Sequence, residues 1–185
     1  MGVLPSISQT QNFNVIVMDD EATIRELSSL FLTRAGMPKE QIIKLANPAQ
    51  LNKFLKQQEK NRESLRNLCV LSDTDMYTDD YAQTSIAAPT DEEKNGIDQN
   101  FKGCQKLLRE FSDRFNFYLL NRSARVEIEQ QDSQNELSKK GSIENPIRLA
   151  KPSDVNGFKD FLQALITHCA SEDGPFAKPL NSLPS

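Results

Sequence analysis

The stretch LCVLSDTDMYTDD, residues 68 to 80, decides the fold. Leu68, Cys69, Val70 and Leu71 form a short apolar run, suited to a strand buried on both faces. The chain then turns acidic, through Asp73, Asp75, Asp79 and Asp80. A buried strand running into carboxylates makes physical sense where the strand's carboxyl end opens on a site for a cation or a charged partner. The rest of the chain must then bring matching groups to the same edge.

Four further runs read as buried strands: Phe13 to Met18, Ile42 to Leu45, Phe115 to Leu120 and Ile147 to Ala150. Helical patterns lie between them. Ile24, Leu27, Phe31 and Ala35 recur at helical spacing and stop at Gly36, and either Asp20 or a Thr23-x-x-Glu26 box is placed to cap that helix. Asn47-Pro48 supplies a cap and a first-turn proline ahead of Leu51, Phe54 and Leu55. Phe101, Cys104, Leu107, Leu108 and Phe111 form a third stripe. After Lys151-Pro152, Ser153 or Asp154 precedes a last helix carrying Phe158, Phe161, Leu162, Leu165, Ile166 and Cys169. Strands alternating with helices predict an α/β protein, a doubly wound parallel sheet with helices on both faces. The weak link is residues 124 to 146, where only Val126, Ile128, Leu137 and Ile143 offer apolar surface. Residues 76 to 96 read by composition as a surface loop.

Ligands of such a sheet collect beyond the carboxyl ends of its strands. There the sequence places Asp19-Asp20-Glu21 after the first run, Asp73 after the third, Asn121-Arg122-Ser123 after the fourth and Lys151 after the fifth. Clustered carboxylates repel, and a hard divalent cation such as Mg²⁺ relieves that repulsion through oxygen ligands. A carboxylate can also attack phosphorus, and a hydroxyl and an ammonium can receive phosphoryl oxygens.

The segments VIVMDDE, VLSDTDM, RSA and AKP, in this order on strands one, three, four and five, closely resemble the receiver domain of two-component response regulators, the CheY-like superfamily. The likeness runs from about Phe13 to Ala170, and LANPAQLNKFL resembles that family's second strand and helix. It implies a flavodoxin-like sheet of five strands in the order 2-1-3-4-5. It matches Asp73 to the phosphoacceptor, Asp20 to a direct Mg²⁺ ligand, Asp19 to a ligand acting through water, and Asp75 to a backbone-carbonyl ligand. Ser123, followed by Ala124, matches the switch hydroxyl. Lys151 matches the lysine that pairs with acceptor and phosphate, with Pro152 following it.

The implied organisation is an extension over residues 1–12, a receiver-like domain over 13–170 with insertions near 77–95 and 125–146, and a tail over 171–185. The implied function is acceptance of a phosphoryl group in a two-component or phosphorelay system, with no turnover beyond self-phosphorylation from a donor and slow autodephosphorylation. A sensor histidine kinase or phosphotransfer protein would donate the group, and a downstream protein would receive the signal; a homodimer stays open. The chain departs from the pattern at Tyr77, where the family has Pro, and at Arg148, where it often has an aromatic. Those departures mark the implied receiver as atypical and stand-alone, and keep a second reading alive, a pseudo-receiver that binds partners without switching on phosphate. A third, a haloacid-dehalogenase-type phosphatase, rests on Asp73-Thr74-Asp75 as a D-x-D pair, although here Asp19-Asp20 comes first.

Composition bounds these readings. A net charge of −4 and a single His argue against nucleic-acid binding, which needs a cationic footprint. No apolar run approaches the ~20 residues a membrane helix requires. The opening MGVLPSISQTQNF lacks the basic-then-apolar pattern of a secretory leader. Three well-separated Cys, each in an apolar segment, fit buried free thiols and a reducing cytoplasm.

Overall fold

A computed structural model describes residues 13–61, 66–123, 137–150 and 155–177. Its elements run β1 (Asn14–Met18), α1 (Ala22–Arg34), β2 (Ile42–Leu45), α2 (Pro48–Lys60), β3 (Asn67–Asp73), α3 (Asp91–Lys94), α4 (Phe101–Phe111), β4 (Asn116–Ser123), β5 (Ile147–Ala150) and α5 (Val155–Ala170). The strands form one sheet in the order β2-β1-β3-β4-β5, and every pairing is parallel. This is the flavodoxin-like, CheY-like order.

Strand alternation splits the core into two layers. Val15 and Val17 of β1, Cys69 and Leu71 of β3, and Tyr118 and Leu120 of β4 pack with α1 and α5. Ile16, Met18, Leu68, Val70 and Leu119 pack with α2 and α4 on the other face. Burial on both faces is why these strands read as unbroken apolar runs. Past α5 the chain returns to the core, where Phe176 stacks on Phe13 with ring centroids 5.4 Å apart.

The helix ends follow local chemistry. Asn47 caps α2 by accepting from the Gln50 N–H at 3.1 Å, with Pro48 in the first turn. Asn100 caps α4 through the Gly103 N–H. Beyond Arg34, Gly36 takes φ +109°, and the Met37 N–H returns to the Leu32 carbonyl at 3.0 Å. The start of α1 corrects the expectation from sequence: its N-cap is Glu21 without a side-chain cap, and the Thr23–Glu26 box does not form. Thr23 lies inside the helix, and the Asp20 carboxylate is taken by donors elsewhere. A capping box does exist at α3, between Thr90 and Glu93.

The buried stripe of α1 also differs from the apolar pattern. It comprises Arg25, Ser28, Phe31 and Leu32, while Leu27 is 41% exposed. The helix is turned to put a guanidinium inside, because the guanidinium has carbonyl partners there.

Residues 124–136 of the polar connection and Lys151 to Asp154 lie outside the described residues. The described part of the connection runs past β4. There Gly141 has φ +104°, and its carbonyl accepts from the Leu119 N–H at 2.6 Å. A Cβ at this position would come within 2.2 Å of the Tyr118 ring. All three cysteines are buried and free, and burial pushes the Cys104 thiol up to about 12.

Two outcomes follow from this packing. Gly141→Ala combines a left-handed backbone with a steric clash, and should lower the unfolding free energy by more than about 1 kcal/mol in urea titrations followed by tyrosine fluorescence. The Cys104 thiol is held above its unfolded value near 8.5, so its burial favours folding most below that pH and the benefit is lost as pH rises toward 12. At pH 8 the native protein should therefore resist iodoacetamide and take up label only when unfolded.

Candidate functional site

Parallel register puts the site on one edge. Met18 of β1 is level with Ser72 of β3, so Asp19 and Asp20 emerge where β3 ends at Asp73. Asp73 is level with Arg122 of β4, and Ser123 with Ala150 of β5. The result is a cluster of three buried carboxylates, Asp19, Asp20 and Asp73, each offering one oxygen within 4.8 Å of the others'. Hard oxygen donors at this spacing fit a divalent cation such as Mg²⁺.

Each acid is held differently. Asp19, fully buried, accepts the Glu21 N–H at 3.0 Å through Oδ1 and the Arg122 guanidinium at 2.9 Å through Oδ2. Asp20 accepts two backbone N–H groups, from Tyr77 at 2.8 Å and Thr78 at 3.1 Å, both on Oδ2. The Thr78 hydroxyl adds a bond to the Asp20 carbonyl at 3.0 Å. Asp73 is buried at the end of β3, and its carbonyl accepts from the Ser72 hydroxyl.

Asp75 does not bring its carboxylate into the cluster; that group accepts from the Tyr77 hydroxyl at 3.2 Å. Its backbone is positioned by a bridge to Asn100, beside the Phe101 N–H that donates to the Thr74 carbonyl. Thr74 in turn donates to Asn121 and to the Arg122 carbonyl, tying the end of β3 to β4. Ser123 is buried one residue beyond the level of Asp73. Lys151, Pro152 and Ala124 lie outside the described residues.

Two buried arginines complete the edge: Arg122 opens the RSA segment without a role of its own there, and Arg25 lies outside every motif segment. Arg122, 3% exposed, spans Asp19 and the Ser28 hydroxyl. Arg25, fully buried, donates to the carbonyls of Asp19 at 2.6 Å, Asp80 at 2.9 Å and Ala82 at 2.6 Å. Burial lowers the Arg25 pKa from its ordinary value, opposed chiefly by attraction to Asp80 and Asp19. The only advance signal for Arg122 was its place directly before Ser123. For Arg25 there was none.

The acidic insertion is therefore more than a solvated loop. It is mostly irregular and its acids Asp79, Asp80, Asp91 and Glu92 are exposed, yet its backbone is fastened to the site. Arg25 holds its carbonyls at residues 80 and 82, and Asp20 holds its amides at 77 and 78. Buried Gln50 donates to Thr84 and the Ile86 carbonyl, and Ser85 exchanges two bonds with Lys44 of the edge strand β2. His168, by contrast, packs on Tyr118, half-buried, with ring centroids 5.7 Å apart.

Fold and site together define a doubly wound α/β protein with buried carboxylates at the carboxyl edge of its sheet. No protein-family model matches the chain, and no curated protein matches it. Among solved structures it is similar to a response regulator receiver domain protein from Clostridium thermocellum, with 13% identity and a TM-score of 0.45 over 84% of this chain and 94% of that one. It is also similar to the apo receiver domain of nitrogen regulatory protein C (NTRC), with 16% identity and a TM-score of 0.45 over 85% of this chain and 97% of that one. Among the described residues, no helix is long and apolar enough to cross a membrane.

Replacing Arg25 by Met would leave three carbonyl acceptors without their buried donor. The expected cost is about 3 kcal/mol of stability, with faster amide exchange concentrated in residues 77–86 and measured by hydrogen–deuterium exchange.

Proposed function

We propose that this protein is a phosphoacceptor receiver of a two-component or phosphorelay system, taking a phosphoryl group on Asp73 and signalling through protein contacts. The observation that carries the reading is the buried trio of Asp19, Asp20 and Asp73, gathered from the ends of β1 and β3. The donor set fits Mg²⁺: Asp20 and Asp73 would bind it directly, Asp19 through water, and Asp75 through its backbone carbonyl. When bound, that cation neutralises charge on phosphate oxygens during transfer.

An oxygen of Asp73 attacks phosphorus of the donor, a kinase phosphohistidine or a small acyl phosphate. The new O–P bond forms as the bond to the leaving group breaks, giving an aspartyl phosphate. Ser123 and Lys151 then receive the phosphoryl oxygens and couple the modification to the neighbouring surface. Residues 13–170 act as the receiver, with 1–12 and 171–185 flanking it. Its setting is the cytoplasm, its donor a sensor histidine kinase or phosphotransfer protein, and its output a downstream protein or a second copy of the chain.

A second reading, the pseudo-receiver, has one observation in its favour: Asp19 is already paired with a protein cation, Arg122. Incubation with acetyl phosphate and Mg²⁺ separates the two. The receiver reading expects a gain of one phosphoryl group per chain by intact mass, mapped to Asp73 and lost in Asp73→Asn. Absence of the adduct, together with beryllofluoride binding indifferent to Asp73→Asn, would establish the pseudo-receiver. Steady turnover of p-nitrophenyl phosphate would point instead to a phosphatase.

A further inference from the structure

Arg122 sits where the acidic cluster meets β4. It is level with Asp73 across the β3–β4 pairing, and the two residues project to the same face, the one that holds Cys69, Leu71, Tyr118 and Leu120. One terminal nitrogen donates to Asp19 Oδ2 at 2.9 Å and the other to the Ser28 hydroxyl at 2.7 Å. Its Nε is buried without a partner. Both carboxylate oxygens of Asp19 are thereby engaged by protein donors, Oδ1 by the Glu21 N–H and Oδ2 by Arg122.

The charges explain each other. Three carboxylates with one oxygen of each within 4.8 Å of the others repel strongly in a buried setting, and positive charge has to enter with them. A guanidinium keeps its charge at any physiological pH and is costly to bury alone. Side-chain exposures of 3% and 0% for Arg122 and Asp19 leave little water to share the work. A divalent cation entering the cluster meets a resident charge of its own sign and competes with it for Asp19.

We infer that Arg122 is a built-in counter-ion that sets the affinity of the acidic cluster for a divalent cation, weakening Mg²⁺ binding while keeping the carboxylates together in its absence. The inference rests on reading the cluster as a cation site. It makes Arg122 a positioning residue, acting through Asp19 and through charge.

The test is Mg²⁺ binding by isothermal titration calorimetry at fixed pH and ionic strength, on wild type, Arg122→Gln and Arg122→Lys. Arg122→Gln should bind Mg²⁺ at least about tenfold more tightly, because an opposing charge is gone. Arg122→Lys should stay near wild type. The melting temperature of Arg122→Gln should also drop in EDTA and recover with Mg²⁺ by a larger margin than that of wild type. Unchanged or weaker Mg²⁺ binding in Arg122→Gln would overturn the inference and leave the cation reading standing. No Mg²⁺ binding to any of the three would overturn both.

Should Arg122→Gln fail to fold, the wild-type protein decides. Its Arg122 Nε–H resonance, assigned by its loss in Arg122→Lys, should shift with Mg²⁺ and saturate together with the Asp73 amide. A resonance that stays fixed while the Asp73 amide shifts would overturn the inference.

Discussion

Three aspartates share a buried space in which one oxygen of each lies within 4.8 Å of the others', and the surrounding groups at the carboxyl edge answer that repulsion. The fold creates the problem by ending β1 and β3 side by side. It also supplies a partial answer, since two guanidiniums are buried on the same edge. Arg122 meets Asp19 through its carboxylate, and Arg25 meets it through its carbonyl. Backbone amides at Tyr77 and Thr78 serve Asp20 in the same capacity, as fixed partial positive charge. The site is thus balanced by groups drawn from β4, α1 and the insertion.

What the sequence made legible follows from burial. Strands covered on both faces must be apolar throughout, so five runs stood out and their order along the chain implied parallel pairing. Asp19, Asp20 and Asp73 were legible because each lies within two residues of the end of such a run, and parallel strands deliver consecutive ends to one edge. Asn47 and Gly36 were legible because cap chemistry is local.

What was hidden depends on contacts far apart in the chain. Arg25 lies among polar residues on a helix, a pattern that ordinarily faces water, and its partners at Asp80 and Ala82 are 55 and 57 residues away. Its burial turns α1 so that Leu27, part of the apolar pattern, is left outside. Arg122 pairs with a residue 103 positions earlier. Gln50 looks like a surface residue of α2, yet it is fully buried and holds Thr84 and Ile86. Hydrophobic periodicity cannot see polar side chains that go inside to satisfy another segment's backbone.

Those hidden contacts make the insertion and the acidic cluster one structure. Asp20 cannot shift without disturbing the amides of Tyr77 and Thr78. Asp19 cannot shift without moving the carbonyl that Arg25 shares with residues 80 and 82. From there the chain continues to Gln50 and to the edge strand at Lys44. Residues 77–86 and the first turns of α1 are therefore the segments in direct hydrogen-bonded contact with the carboxylates and their arginines. Tyr77, 80% exposed, carries on its own amide the hydrogen bond to Asp20, so one hydrogen bond separates the buried acids from a large aromatic in solvent.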